Sequence, residues 1–223
     1  MLIFAQTKNK MNDDIFESVS QRGYGAYDEE NRRIREISDE LQRLCRLYET
    51  QSGASQSNGG CFEVEQRVAE QYSKSVGMWI PMDDVFNLGI PGPSGNENDT
   101  YVCDTFIYKV NNLLNSGGIC NLLEKIALHN ILFPNTAYSL KGFAGYEGRS
   151  VLPVLMQRRI RNASPATQVM IDTYMSALGF TKENNEGRYS NGTYLVWDVV
   201  PRNVLVDSDG DIYVVDAEIK RIG

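Results

Sequence analysis

The amino-acid sequence predicts an α+β fold, in which one helix is inserted into a small and mostly antiparallel sheet. Residues 100–110, 136–143 and 151–157 are rich in the β-branched and aromatic side chains that are typical of strands. Residues 119–132, which lie between these runs, place apolar side chains at helical spacing. A smaller second part follows, because an Asp-Gly turn signal between two apolar runs in residues 204–215 predicts a hairpin.

The composition is that of a globular protein, and it narrows the choice of partners. The chain has 223 residues, of which 42% are hydrophobic and 23% are charged, and its formal net charge is -7. A negative protein is repelled by phosphate backbones, so we do not expect nucleic acid as a partner. No apolar run approaches the roughly 20 residues that span a bilayer, and the opening apolar stretch is too short for a secretion signal. We therefore expect a cytoplasmic protein without a membrane partner, and the oligomeric state stays open.

Residues 1–60 are predicted to form an N-terminal helical extension and a linker. Apolar residues recur at helical spacing within 27–50, with charged residues between them, which is typical of an amphipathic helix. They are Ile34, Ile37, Leu41, Leu44 and Leu47. This helix would pack on the rest of the protein or pair with a second copy. The Gly, Ser and Asn residues of 51–60 predict a linker that marks a domain boundary.

Residues 61–157 are predicted to form the sheet-rich part of the protein. A helix over 62–75 comes first and is closed by Gly77. A segment rich in Gly, Pro and Asn then forms a loop ahead of two antiparallel strands within 100–110. The inserted helix follows these strands and stops before Pro134, since a proline cannot continue it.

Residues 158–223 are predicted to form the smaller part. Ser164 is a candidate N-cap, and Pro165 a first-turn residue, of a helix that extends to Leu178 and ends at Gly179. A short strand and the Asp-Gly hairpin complete this part.

Oxygen-bearing side chains flank the predicted hairpin. Asn203 starts its first strand and Asp216 ends its second, so antiparallel pairing would bring both residues to the same end. Carboxylate and amide oxygens are ligands of hard cations, which makes the two residues candidate magnesium ligands. Asp198 lies on the preceding loop, where it could accept a proton or orient a hydroxyl group.

The segment from Asp198 to Asp216 resembles the catalytic loop and metal-binding aspartate of the protein-kinase-like superfamily. There, Asp-x-x-x-x-Asn is followed by a strand, a turn, a strand and a second Asp. Residues 201–205 (PRNVL) also resemble the Pro-x-Asn-Val-Leu form of aminoglycoside-phosphotransferase-like small kinases. The segment is most similar to the kinase domain of phage and mobile-element polyvalent proteins, which has Asp-x-x-Pro-x-Asn-Val-Leu and Asp-Gly-x-Ile-x-x-x-Asp in one run.

This resemblance implies a phosphotransferase that uses ATP and magnesium and acts on an unknown protein or small-molecule acceptor. It implies a sheet-rich N-lobe, residues 61–157, and a strongly abbreviated C-lobe, residues 158–223. Asp198 would be the catalytic residue, and Asn203 and Asp216 would bind the metal. Six residues would contact the nucleotide or orient a group that does: Lys109 on a strand, Glu124 on the inserted helix as the partner of that lysine, Gly92 and Gly95 in a glycine loop, and Met156 and Gln157, where the strand runs into a hinge and nearby backbone groups would pair with adenine.

The segment also departs from typical protein kinases. Trp197 precedes Asp198 where those kinases have His-Arg, and Ala217 and Glu218 follow Asp216 where they have Phe-Gly. Because the sequence continues for only seven residues beyond Asp216, we expect neither an activation segment nor a helical platform for a peptide. These departures favour, as an alternative, a catalytically inactive nucleotide-binding or interaction module.

A calcium loop competes for some of the same residues. The stretch DSDGDIYVVDAE, residues 207–218, begins with aspartates at its first, third and fifth positions and ends with a glutamate. However, Ile212 stands at the sixth position, where such a loop requires glycine. A solvated turn at residues 207–211 is the simpler prediction.

Overall fold

The computed structural model describes residues 24–52, 58–184 and 186–223. Two long helices come first, α1 (Tyr24–Ser52) and α2 (Asn58–Ser75), as the spacing of apolar residues predicts. The α-helices and β-strands that follow are β1 (Trp79–Pro81), α3 (Met82–Val85), β2 (Ile90–Pro91), β3 (Asn98–Val102), β4 (Phe106–Asn111), α4 (Ile119–Leu132), β5 (Tyr138–Gly145), β6 (Val151–Arg158), β7 (Ser164–Pro165), α5 (Gln168–Ala177), β8 (Thr181–Asn184), β9 (Arg188–Ser190), β10 (Tyr194–Trp197), β11 (Val204–Val206), β12 (Ile212–Val214) and β13 (Glu218–Arg221).

Within the described residues, the largest sheet has the strand order β1-β5-β6-β4-β3-β2. Its neighbouring strands are antiparallel except for β1, which runs parallel to β5. The mostly antiparallel sheet is therefore confirmed, and so is the inserted helix, because α4 follows β4 and precedes β5. The sequence did not predict the short helix α3, which lies between β1 and β2 of the same sheet. Strand β4 places Lys109 between Thr100 of β3 and Leu155 of β6.

The C-terminal part contains two smaller sheets, with the strand orders β13-β10-β9-β8 and β12-β11-β7. The predicted hairpin is confirmed, since β11 pairs with β12 from Val204 opposite Val214 to Val206 opposite Ile212. Gly210 adopts a φ of 87° in the connecting turn, a left-handed conformation that glycine adopts without steric cost.

Helix α1 packs on the sheet-rich part through its apolar stripe, as one of the two predictions for it stated. Ile34 and Leu41 of this helix are fully buried with Leu123 of α4 and Phe143 of β5. Truncating such a buried leucine to alanine typically costs about 2–5 kcal/mol. The first helix is thus an integral part of the core around α4.

The predicted start of the helix after residue 163 is wrong. Ser164 and Pro165 form a short strand opposite β11, and this pairing excludes them from a helix. Helix α5 begins at Gln168 instead, and its N-cap is Thr167, whose hydroxyl accepts a hydrogen bond from the amide of Met170.

The predicted linker over residues 51–60 is shorter than expected, because α1 extends to Ser52 and α2 begins at Asn58. Residues 53–57 of this prediction lie outside the described residues. In the described part of the chain, no helix is both long and apolar enough to span a bilayer.

Candidate active site

Lys109 lies at the centre of the candidate site, because β4 carries it in the middle of the large sheet. Its Nζ donates hydrogen bonds to the Tyr138 hydroxyl at 2.8 Å and to the Val215 carbonyl at 3.0 Å. Burial lowers the pKa of the Lys109 ammonium below its usual value, and the nearby Asp216 carboxylate opposes this shift. A buried amine is therefore held next to the predicted metal-binding aspartate.

The loop before β11 brings Asp198 and Asn203 into direct contact. Asn203 donates from Nδ2 to the Asp198 carboxylate at 2.8 Å and to the Asp198 carbonyl at 2.9 Å. Arg202 also donates to the Asp198 carboxylate. Asp198 has a φ of 59°, in the left-handed region where residues other than glycine are uncommon, and such strain is often found at functional sites. The loop thus holds the Asp198 carboxylate in a defined position.

Asn203 and Asp216 are adjacent, as the hairpin predicts. The carbonyl oxygen of Asn203 accepts hydrogen bonds from the amide of Val215 at 2.9 Å and from the amide of Asp216 at 3.4 Å. Since the Val215 carbonyl also accepts from Lys109, one short segment joins the lysine, the asparagine and the aspartate. The three residues on which the kinase-like prediction depends therefore converge.

A small cavity lies beside Lys109 and Asp216, and a larger, open cleft lies next to it. The cavity has a volume of about 10 Å³, enough for roughly one water molecule, and is lined by Lys109, Lys125 and Asp216 among others. The cleft has a volume of about 570 Å³ and includes Asp198 and Glu218 in its wall.

Lys125 of α4 connects the cavity to the cleft. Its Nζ forms ion pairs with Glu97, at 3.7 Å, and with Glu218. Both carboxylates line the cleft, whereas Lys125 lines the cavity. Burial lowers the pKa of Lys125, but the carboxylate of Glu218 and its hydrogen bond outweigh this effect and raise the pKa above its usual value. The lysine stays charged, and it joins the loop before β3 to the segment after Asp216.

The structure does not pair Glu124 with Lys109. Glu124 is exposed on α4, and Lys109 bonds to Tyr138 and Val215 instead. The prediction fails because Lys125, one residue further along the helix, faces the cavity. A step of one residue rotates a side chain by roughly 100° around a helix.

The predicted backbone role of Met156 and Gln157 is also not supported. Both residues lie inside β6, where each is paired with a residue of β4 and with a residue of β5. Their backbone groups are therefore engaged in the sheet, and the amide side chain of Gln157 donates to the Thr136 carbonyl at 2.6 Å. The adenine base would have to pair with backbone groups of residues that follow the end of β6.

Gly92 and Gly95 lie in the loop between β2 and β3, at the predicted position ahead of Lys109. The Gly92 amide donates to the Thr100 carbonyl at 2.8 Å, and the Gly95 amide donates to the Asn98 carbonyl at 3.0 Å. Asn98 lines the same cavity as Lys109, so this loop reaches the candidate site.

His129 is buried on the inner side of α4 and lines the cavity. Its Nε2 lies 3.2 Å from the Thr136 hydroxyl, and its Nδ1 has no hydrogen-bond partner among the described residues. Burial lowers its pKa to about 3, so the ring is neutral at ordinary pH.

The aspartate-rich turn has a structural role. The Asp207 carboxylate accepts hydrogen bonds from the amides of Asp209 and Asp211, each at 3.0 Å, as in a solvated turn. The calcium-loop alternative is wrong, because Ile212 begins a strand instead of continuing a loop. Nowhere in the described ranges do three or more His, Cys, Asp or Glu side chains form a group that could hold a metal ion.

Three residues of the site were not identified from the sequence, namely Lys125, Tyr138 and Glu218. The helical spacing contained a signal for Lys125, which lies three residues after the buried Leu122 and four before the buried His129. No local pattern indicates Tyr138, because its contact with Lys109 depends on the order of three strands.

A six-stranded sheet packed against helices, with a buried lysine next to an Asp-containing hairpin, is compatible with a kinase-like fold. A family model described as a serine/threonine/tyrosine kinase found in polyvalent proteins matches residues 63–222. This region is more than half of the chain, and it contains all of the predicted site residues but not α1. The chain therefore belongs to this kinase family. No curated protein matches the sequence of this chain.

Proposed function

We propose that this protein is a phosphotransferase that uses ATP and magnesium. The observation that carries the proposal is the convergence of Lys109, Asn203 and Asp216 through the backbone of residues 215–216. A cation, an amide oxygen and a carboxylate around one point are the groups that neutralise a triphosphate and its metal.

The residues fit a magnesium ion in chemical type. Asn203 donates from Nδ2 to Asp198, which leaves its amide oxygen as the atom to bind a metal. The Asp216 carboxylate would supply the charged ligand, and phosphate oxygens and water would complete the coordination. The bound ion would neutralise negative charge on the phosphates.

Lys109 and Asp198 would have separate tasks. Lys109 would contact phosphate oxygens beside the metal, where its positive charge stabilises the charge on the transferred group. Asp198 lies in the wall of the open cleft, where its carboxylate would orient or deprotonate the acceptor hydroxyl. The acceptor would enter from this cleft, and it is a protein or a small molecule.

The second candidate is a nucleotide-binding or interaction module without turnover. The observation that favours it is the small volume of the cavity beside Lys109, about 10 Å³, together with the hydrogen bonds that this lysine makes to Tyr138 and Val215. Turnover would require this cavity to widen so that phosphates can reach Lys109.

Titration with ATP, in the presence and absence of magnesium, tests both candidates when it is followed by assays of ATP hydrolysis and phosphate transfer. We expect Asp198→Ala to reduce turnover by about 10²–10⁴-fold with little change in nucleotide affinity. Asp209→Ala is the matched control, because Asp209 is an exposed aspartate of the turn. Magnesium-dependent binding with no difference in turnover between wild type and Asp198→Ala would favour the module. No binding would overturn both the phosphotransferase and a nucleotide-binding module.

A further inference from the structure

A buried chain of hydrogen bonds leads from helix α1 to Lys109. Asn130 of α4 donates from Nδ2 to Asn31 Oδ1 at 2.9 Å and to the Tyr138 carbonyl at 2.8 Å. The Tyr138 amide donates back to Asn130 Oδ1 at 2.7 Å. The Tyr138 hydroxyl accepts from Lys109 and donates to the Val215 carbonyl, both at 2.8 Å. Direct hydrogen bonds thus connect Asn31 to Asn130, Asn130 to Tyr138, and Tyr138 to Lys109.

The members of this chain are shielded from solvent. Asn31 is 6% exposed, Asn130 2%, Tyr138 6% and Lys109 9%. Buried polar groups that lose a partner are not compensated by water, so each bond restricts the position of the next group. Displacing Asn31 would leave an amide hydrogen of Asn130 unpaired and weaken the hold of Asn130 on Tyr138.

The two N-terminal helices also fix α4 and β5 at other points. Glu65 of α2 accepts hydrogen bonds from the amides of Ile119 and Cys120, both at 2.9 Å, at the start of α4. Glu30 of α1 accepts from the Leu140 amide at 3.0 Å, close to Tyr138 on the same strand. Helices α1 and α2 therefore hold α4 and β5, the two elements that line the cavity together with Lys109.

We propose that Tyr138 is the positioning residue of Lys109, and that Asn31 holds Tyr138 in place through Asn130. Helix α1, which lies outside the region matched by the kinase family, would then set the geometry of the lysine. The role of this geometry in catalysis rests on the proposed function, whereas the geometry itself can be tested without it. Tyr138 takes the place that the sequence assigned to Glu124.

The reactivity of the Lys109 amine is a direct readout of this contact. Tyr138→Phe removes the hydroxyl group that accepts the hydrogen bond from Lys109, but it keeps the aromatic ring that packs in the core. Amine acetylation of the full chain under mildly alkaline conditions, with mass-spectrometric peptide mapping, gives the rate at each lysine. We expect this variant to increase the rate at Lys109 about fivefold, the factor that corresponds to the ~1 kcal/mol of one hydrogen bond. The rate at the exposed Lys141 should be unchanged and serves as the internal reference.

The connection to α1 is tested with Asn31→Ala, and Arg32→Ala is the control because Arg32 is an exposed neighbour on the same helix. We expect Asn31→Ala to raise the rate at Lys109 and Arg32→Ala to leave it unchanged. In the double variant with Tyr138→Phe, the two effects should be less than additive, since both act through one contact. Unfolding curves of each variant confirm that the chain is folded under the labelling conditions.

An unchanged rate at Lys109 in Tyr138→Phe would overturn the proposal. A response to Tyr138→Phe but not to Asn31→Ala would overturn the role of helix α1, and a parallel increase at all lysines would show general loosening instead of positioning. If wild type binds no ATP but the labelling results hold, the proposed function fails and the positioning chain stands. If ATP binds, Tyr138→Phe should change kcat or ATP affinity and Arg32→Ala should change neither.

Discussion

The carbonyl oxygen of Asn203 lies 3.4 Å from the amide nitrogen of Asp216 and accepts its hydrogen bond. This contact orders the segment that carries the proposed metal ligand. Asp216→Asn preserves the size of the side chain and the backbone contact but removes the negative charge. Because magnesium prefers charged oxygen ligands, we expect magnesium-dependent ATP affinity to fall by at least about tenfold. Calorimetric titration with ATP, with and without magnesium, measures this loss.

Asp209→Asn is the control for this variant, since it removes an equal charge from the exposed turn of the same hairpin. It should bind like wild type. Asp216→Asn with undiminished magnesium dependence would contradict the role assigned to Asp216.

A second prediction concerns acid stability, because His129 is the only histidine of the chain. Burial lowers its folded-state pKa to about 3, whereas an unfolded histidine titrates near 6.5. Between these values the unfolded chain binds a proton that the folded protein excludes, so the free energy of unfolding decreases as the pH falls through this window. We expect His129 to account for a loss of about 2 kcal/mol between about pH 7 and pH 5.

Urea unfolding of wild type and His129→Gln at both pH values measures this contribution. Glutamine does not titrate but can still bond to Thr136, so the variant should lose less stability on acidification than wild type does. Equal pH dependence of the two proteins would show that His129 does not titrate in this way.

The sequence predicted those parts of the fold that depend on local signals. The hairpin at residues 204–215 follows from an Asp-Gly turn between two apolar runs, and its register then places Asn203 beside Asp216. Lys109 was placed on a strand for the same kind of reason, since its neighbours are β-branched and aromatic residues.

The remaining parts depend on tertiary structure. Whether Glu124 or Lys125 faces the site depends on the rotation of α4 about its axis, which is set by packing on α1 and the sheet. Gln157 was predicted at an accessible backbone position, but β6 lies between β4 and β5, so its backbone is occupied on both sides. Helix packing and strand order decide which residues face the site, and a local sequence pattern contains neither.

A third prediction concerns the Lys125 ion pairs. Lys125→Met keeps most of the unbranched side chain but leaves Glu97 and Glu218 without their shared cation at the wall of the cleft. Two unpaired carboxylates would repel a triphosphate, and we expect ATP affinity to fall about tenfold, which equals about 1.4 kcal/mol. Fluorescence titration with a labelled ATP analogue measures the change.

Glu218→Gln in the Lys125→Met background removes one of the unpaired charges, so it should restore part of the affinity. Lys141→Met is the control, because Lys141 is exposed on β5. If Lys125→Met binds ATP more tightly than wild type, the ion pairs block the nucleotide site, and the repulsion argument is wrong.

A fourth prediction separates the two glycines of the loop between β2 and β3. A Cβ atom at Gly92 would lie 2.7 Å from the Thr100 hydroxyl and 2.9 Å from a Val102 methyl group. The Thr100 hydroxyl already donates to the Pro93 carbonyl at 2.8 Å, so it cannot move away without losing that bond. We therefore expect Gly92→Ala to destabilise the protein by about 1–3 kcal/mol, measured by urea unfolding.

Gly95→Ala should behave differently, because a Cβ at this position meets no atom of the described residues within 4 Å. The folded protein accepts the methyl group, and the free energy of unfolding should change by less than about 0.5 kcal/mol. If phosphates approach the backbone of this loop closely, the same methyl group would obstruct them, and ATP affinity should fall although stability does not. Wild-type affinity in Gly95→Ala would show that the nucleotide does not approach this part of the loop, and the phosphate site would then depend on Lys109, Asn203 and Asp216 alone.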